Sequence, residues 1–426
     1  MKKLLTTALL LFVFLGAAGQ EKTEIVKTGL NFGPLPAVGY SSDLGWHYGA
    51  LSDIYWYGDG STYPDYVWKG NVEISKYSKG NTVLHSFFDS KYLIPGLRIS
   101  AAVSWFGNKT TNFYGFNGAS SVYDPAKDLI TETGQGFYLM RRDIFRVQTC
   151  LQGQIGDSNW GWAGGITYWS IKTGHAVNEG LNYNDDFSLY DAYVQGGVIP
   201  EAEKDGGKHL EFKAGVVYDT RDHENNPTRG TNLEVYMFGS PDIISKHDNN
   251  YLKLAVHFKQ FFPLADRLVF GTHLAYQGIV AGNAPFYMLQ SIQSINMKQI
   301  NTEGLGSTCT LRGTVTNRLQ GNGYAWMNNE LRWSFAKFHW INQNWTLALN
   351  PFFDLGMVVQ PYRLDQLKKL SELYYSGNPE KLHMSAGSGL HVIMNQNFNI
   401  NFEFGKCFDP NDGTGLGINI GLNYIF

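Results

Sequence analysis

Residues 398–404 (FNINFEF) and 417–426 (GINIGLNYIF) decide the fold of this chain, because apolar and polar side chains alternate along both stretches. The first stretch alternates Phe and Ile with Asn and Glu. The second places Ile, Leu, Tyr and Phe at every other position, so that its last aromatic residue belongs to the apolar set. Successive side chains of a β-strand point to opposite faces. The pattern therefore predicts strands with one apolar and one polar face, with Phe426 on the apolar face.

The same alternation recurs along the chain, for example at 97–105 and 251–258. A soluble β-sandwich also alternates, but its strands are shorter and its apolar face forms the core. The alternating segments here run for roughly ten residues or more, the length that a tilted strand needs to cross a bilayer. The chain is 15% aromatic and only 17% charged. These features favour an all-β fold, a transmembrane outer-membrane β-barrel, over the sandwich.

Counting backwards from Phe426 predicts sixteen antiparallel strands, the first at about 30–41. An even number of strands leaves both termini on the periplasmic side, and the long segments 108–136, 174–208, 282–323 and 359–382 then lie outside the cell. The first strand contains Pro34 and Pro36, which cannot donate to a ladder. We expect a weak seam where this strand meets the last one. Alternatively, the prolines precede a strand that begins near Ala37.

The N-terminus has the pattern of a cleaved secretory signal at residues 1–19: two lysines, an apolar stretch and a run of small residues. Residues 20–29 are then expected to form a short periplasmic segment and residues 30–426 the barrel. Cys150, Cys309 and Cys407 show no metal-binding or disulfide spacing. The formal net charge of −3 offers no basic surface for nucleic acid.

We find no sequence motif of a hydrolase nucleophile, a zinc protease, a phosphate-binding loop or a dinucleotide site. We therefore expect no catalytic residues, no metal and no cofactor. An outer-membrane lipase remains a distant alternative, because catalytic groups can be assembled from distant residues.

The most specific stretch is residues 310–333 (TLRGTVTNRLQGNGYAWMNNELRW), which is too polar to face lipid. If this loop folds into the lumen, Arg312 becomes a buried cation that needs carboxylate partners. The strand phase places Asp354 and Glu403 on the lumen side. The alternative is a solvated loop in which Arg312 has no fixed partner.

These motifs, together with GVVYDTRDHENNPTRG from Gly215, FFDLG, AGSGLHV and INFEFG, occur in the order typical of one family. The chain resembles the barrel of the BamA, TamA and two-partner-secretion transporter superfamily, the bacterial surface antigen domain. The resemblance implies a long extracellular loop folded into the lumen. It also places Arg312 and Gly313 at that loop's motif, with Asp354 and Glu403 as the partners. The end of the chain, with Gly421, Tyr424 and Phe426, is similar to the signal that directs barrel insertion.

Two departures from the family matter. The residue after Arg-Gly is commonly aromatic, whereas this chain has Thr314, which puts the packing of the loop tip in question. Residues 20–29 are also too few for the periplasmic POTRA modules, so we expect a POTRA-less member in which client binding is delegated to another protein or does not occur.

The resemblance implies a protein of the outer membrane of a Gram-negative-type bacterium that assembles or translocates proteins or lipids through a weak seam. An accessory barrel that docks partners is the alternative, and a passive channel is a weaker one. The expected partners are outer-membrane lipids, with other outer-membrane or periplasmic proteins or a second copy of the chain as further candidates.

Overall fold

A computed structural model describes residues 25–41, 45–128, 136–177, 187–245, 250–293, 304–306, 310–413, 415–422 and 424–426. Within these ranges, the structure does not describe the side chains of residues 34–38 and 41. The expected signal at 1–19, residues 20–24 and Cys309 lie outside the described residues.

The described part of the chain is almost entirely β-structure, with two short helices in loops. The strands are β1 (Leu30–Ser41), β2 (Gly45–Trp56), β3 (Trp68–Tyr77), β4 (Thr82–Ile94), β5 (Leu97–Gly107), β6 (Thr111–Asn112), β7 (Leu139–Gln154), β8 (Trp160–His175), β9 (Gly206–Asp219), β10 (Gly230–Ser240), β11 (Tyr251–Ala265), β12 (Leu268–Gly282), β13 (Gly323–Trp340), β14 (Gln343–Gln360), β15 (His383–Met394), β16 (Phe398–Cys407) and β17 (Gly417–Leu422). The helices are α1 (Leu189–Gln195) and α2 (Leu364–Leu367).

The long strands form one antiparallel meander in which each pairs with its neighbours in sequence. The two-residue strand β6 pairs only with β7, so that β5 also pairs directly with β7. Apart from β6, the described ranges contain sixteen strands, and the prediction of a sixteen-stranded antiparallel barrel is confirmed. The sheet is not closed by a continuous ladder, because among the described residues the register of β1 and β17 contains one pair, Ser41 opposite Asn419.

The two faces of the wall differ as the alternation predicted. Large apolar side chains on one face are exposed, including Val103, Leu274 and Phe404. Buried polar and charged side chains occupy the other face, which lines the lumen. Since the apolar face covers the outside of the wall, the barrel presents it to lipid. No helix in the described residues has the length and apolar character needed to span a membrane.

The four longest connections, between β5 and β7, β8 and β9, β12 and β13, and β14 and β15, lie at one end of the barrel, and most connections at the other end are short turns; this assigns the ends to the exterior and the periplasm. The long segments pack together over the outer end. Phe116 lies against Tyr362 and Phe286, with ring centroids 4.6 and 6.4 Å apart, and Phe113 lies against Tyr193 at 5.6 Å. These five side chains are all buried. They form the centre of an aromatic cap over the exterior mouth.

Candidate functional site: the lumenal loop and the seam

The segment between β12 and β13 enters the barrel. We call its described residues 304–306 and 310–322 the lumenal loop. Leu305 and Leu319 join its two limbs through reciprocal backbone hydrogen bonds of 3.1 and 2.9 Å. Both side chains are fully buried and pack with Leu311 against Trp326 of the wall. Apolar side chains thus anchor a polar segment inside a polar lumen.

Arg312 is the centre of the loop's contacts with the wall. Its Nε and Nη2 donate to the two carboxylate oxygens of Asp354, both at 2.8 Å, and its backbone N–H donates to the same group at 3.1 Å. Its Nη1 donates to Glu403 at 3.0 Å and to Glu330. The guanidinium also lies 3.7 Å from the ring centroid of Phe352. The geometry is bidentate at Asp354, which fixes the orientation of the arginine.

All these charges are removed from water: the side chain of Arg312 is 2% exposed and that of Glu403 5%. Burial alone would lower the pKa of Arg312, but Asp354, Glu330 and Glu403 hold that pKa well above its ordinary value. The arginine therefore stays charged. The structure places it against Asp354 and Glu403, and Glu330 is a third partner that the sequence reasoning missed. The signal for Glu330 was present, since it lies on the inward face of β13 two residues before Arg332.

Gly313 brings the loop against the strands next to the seam. Its φ is +87°, and a Cβ there would lie 2.4 Å from the carbonyl carbon of Gly405 in β16. A Cβ on Gly417, the first residue of β17, would in turn lie 2.9 Å from Cα of Gly313. Only glycine allows this conformation and this approach together. Thr314, the residue after Arg312 and Gly313, is buried.

The tip of the loop is tied to the segment that leads into β17. Val315 N–H donates to the carbonyl of Asp412 at 3.0 Å, and Arg318 Nε donates to the carbonyl of Asn411 at 2.7 Å. The guanidinium of Arg318 also lies 3.6 Å from the Asp412 carboxylate. The lumenal loop thus contacts both the start of the last strand and the segment before it.

The seam edge of β1 is short of hydrogen-bond donors. Gly29 O accepts from Tyr57 N–H at 2.9 Å, so the odd-numbered residues at the start of β1 turn their backbone groups toward β2. The even-numbered residues, including Pro34 and Pro36, then turn their backbone nitrogen and carbonyl groups toward the seam. Since proline has no N–H, two successive positions on this edge cannot donate.

The register explains where β17 ends. Moving five residues back from Ser41 along β1 corresponds to five residues forward from Asn419 along β17. A continued ladder would place Pro36 opposite Tyr424 and, two residues on, Pro34 opposite Phe426. The strand instead ends at Leu422. The predicted strand to Phe426, with that residue facing lipid, is wrong because β1 offers no donors opposite these residues.

The last residues turn into the lumen and pack on Arg332. Its guanidinium carbon lies 3.9 Å from the ring centroid of Tyr424, and its Nη2 donates to the carbonyl oxygen of Phe426 at 2.8 Å. Tyr424 stacks on His391 at 4.3 Å. Gly421, the other residue of the expected insertion signal, remains in β17 opposite Asn401.

Glu330 connects the two sets of contacts. One of its oxygens accepts from Arg312 of the lumenal loop, and the other accepts from Arg332 Nε at 2.8 Å. The loop and the C-terminal residues therefore share one buried carboxylate. Sequence reasoning also missed Arg332, because its role depends on the inward turn of the C-terminus.

Replacing both prolines, Pro34→Thr with Pro36→Thr, is expected to extend β17 along β1, because it restores two donors on the seam edge. Hydrogen exchange of residues 417–426 should slow, since each added hydrogen bond contributes about 1 kcal/mol. Pro351→Thr is the matched control, because Pro351 lies opposite Ser388 in a ladder away from the seam. Unchanged exchange in the double variant would contradict this account of the strand's end.

The described residues contain no group of three or more His, Cys, Asp or Glu side chains placed to hold a metal ion. The lumenal charges instead pair with each other. The arrangement can hold a loop inside the barrel and a C-terminal segment away from the seam.

The fold and this site define an outer-membrane β-barrel with a re-entrant loop and an incompletely paired seam. The sequence matches the model of the Omp85 superfamily domain over residues 68–426, and the chain belongs to that superfamily. No curated protein sequence matches it.

Two solved structures have a similar fold. One is BamA from Haemophilus ducreyi lacking POTRA domains 1–3, at 16% identity and a TM-score of 0.51, covering 93% of this chain and 70% of that one. The other is CdiB from Escherichia coli, at 13% identity and a TM-score of 0.55, covering 93% and 63%. Part of each structure therefore has no counterpart in this chain.

Proposed function

We propose that this protein helps proteins or lipids to enter or cross the outer membrane, and that it acts at the seam between β1 and β17. The observation that carries the proposal is that the described residues of these two strands form a single residue pair. Each ladder hydrogen bond adds to the free energy needed to separate two strands. Separating β1 from β17 therefore requires less free energy than separating any other pair of neighbouring long strands in the described wall.

Three features favour the seam over a route through the lumen. The lumenal loop and the C-terminal residues occupy the interior, and the aromatic cap covers the exterior mouth. A passive channel is correspondingly less well supported. We propose no catalytic step: Arg312 and its carboxylates serve to hold the loop against β16 and β17.

Reconstitution tests the proposal. The full chain is placed in liposomes, and the folding of a urea-unfolded outer-membrane barrel protein into them is followed by its shift in gel mobility. A second arm measures the movement of a fluorescent lipid between leaflets. We expect at least one rate to exceed that of empty liposomes severalfold; equal rates in both arms would contradict the proposal.

A second function, an accessory barrel that docks partner proteins, is favoured by the two prolines. A client strand added to the seam edge of β1 would find two missing donors, as proline on an edge strand opposes pairing. Purification in mild detergent from the native outer membrane distinguishes this candidate, because an accessory barrel should carry a stable partner or a second copy. A single, unassociated polypeptide would count against it.

A further inference from the structure

The periplasmic end of the barrel carries contacts across the seam that the strands themselves lack. Residues 25–28, just before β1, contact the periplasmic end of β14. In the order of the sheet, β15, β16 and β17 lie between β14 and β1 on the seam side. A contact between the periplasmic ends of β1 and β14 therefore joins the two sides of the seam.

Asn344, near the start of β14, makes the first contact. Its Oδ1 accepts from Ile25 N–H at 2.9 Å, and its Nδ2 donates to Ile25 O at 2.9 Å. The side-chain amide thus pairs with the backbone of Ile25 as a neighbouring strand would. The same Nδ2 donates to Tyr63 OH, in the turn between β2 and β3, at 3.1 Å. Lys27 Nζ adds a hydrogen bond to the carbonyl of Asn342.

Asn397, in the turn before β16, makes the second contact. Its Nδ2 donates to Tyr57 OH at 3.1 Å and to the carbonyl of Pro64 at 2.5 Å, both in the turn between β2 and β3. Its Oδ1 accepts from Asn225, in the turn between β9 and β10, at 2.7 Å. Asn344 and Asn397 are 9% and 6% exposed, so water competes little for these bonds.

We propose that Asn344 and Asn397 form a periplasmic clamp that holds the seam together from below, in place of the missing ladder between β1 and β17. The clamp fixes residues 25–28 and the turn between β2 and β3 to the strands on the far side of the seam. Opening of the seam then begins with release of these two side chains. This inference deepens the proposed function, because it names the contacts that regulate the same seam.

Hydrogen exchange of the full chain in detergent tests the clamp. The double variant Asn344→Ala with Asn397→Ala removes these side-chain hydrogen bonds, and we expect residues 30–41 to exchange about tenfold faster or more. Residues of β7 and β8, on the far side of the barrel, should exchange at the original rate.

Asn81→Ala is the matched control. Asn81 pairs with the backbone of Thr110 in the same way, donating to its carbonyl at 3.0 Å and accepting from its N–H at 3.3 Å, but at the exterior end and away from the seam. This variant should leave exchange of residues 30–41 unchanged. Asn344→Asp, which keeps the acceptor and loses the two donors, serves if the double variant fails to fold, and we expect a smaller acceleration of the same residues.

Unchanged exchange at 30–41, or equal acceleration of every strand, would overturn the clamp. The exchange measurement does not require activity. Faster exchange at β1 in the variants, with liposome rates of the unaltered protein that stay at background, would therefore support the clamp and contradict the proposed function. Liposome activity without faster exchange in the variants would support the proposed function and contradict the clamp.

Discussion

Locking the seam with a disulfide is expected to reduce the liposome activity to the level of empty liposomes. The variant combines Ser41→Cys with Asn419→Cys, the pair that joins β1 and β17 in the part of the chain that the structure describes. The backbone groups of β1 alternate between β2 and the seam, and those of Tyr40 point to the seam. Ser41 and Asn419 therefore form a non-hydrogen-bonded pair, in which the two Cα atoms lie about 4.5 Å apart. That spacing is within the range of a disulfide.

The expected loss follows from the mechanism, because a covalent bond prevents the strands from parting. Activity should return when a reducing agent breaks the bond. Thr272→Cys with Asn329→Cys is the matched control, since these residues lie opposite each other in β12 and β13 with their side chains 3.0 Å apart. Complete cross-linking at the seam with full activity would rule out a function that needs the seam to open.

Arg312→Ala is expected to release the lumenal loop. The substitution leaves Asp354, Glu330 and Glu403 buried together without their shared cation, and breaking a buried ion pair in this way costs roughly 3–5 kcal/mol. Limited proteolysis of the full chain should then cut within residues 294–322 at low protease concentrations that leave the unaltered protein intact.

Arg267→Ala is the control for this effect. Arg267 lies in the turn between β11 and β12, and its side chain is 39% exposed beside Asp266. An exposed ion pair contributes about 0–1 kcal/mol, so its loss should leave the digestion pattern unchanged. Identical patterns for Arg312→Ala and the unaltered protein would show that the arginine does not hold the loop.

The shared carboxylate of Glu330 gives these two experiments a common physical basis. Arg312 holds the loop against Gly405 and Gly417, and Arg332 holds the C-terminal residues inside the lumen. Both arginines form an ion pair with Glu330. The lumenal loop and the C-terminal residues are therefore joined through one buried carboxylate.

Much of the architecture was predictable because alternation is a local property. The stretch 398–404 shows its two faces in its own residues, and it lies within the observed β16, Phe398–Cys407. The same reasoning placed Asp354 and Glu403 on the lumen side. Period-two patterning identifies which residues face inward, whatever the rest of the chain does.

The sequence by itself determined that this chain forms long strands with an apolar outer face and a polar inner one, because each residue's face depends only on its neighbours. The tertiary structure alone decided which inward groups meet. Glu330 joins Arg312 through the register of β13 against β14, and Tyr424 turns inward where a continued ladder would have placed it opposite Pro36, which has no N–H to donate. Asn344 reaches Ile25 although 319 residues separate them. Such contacts depend on the register between distant strands, which no local pattern specifies.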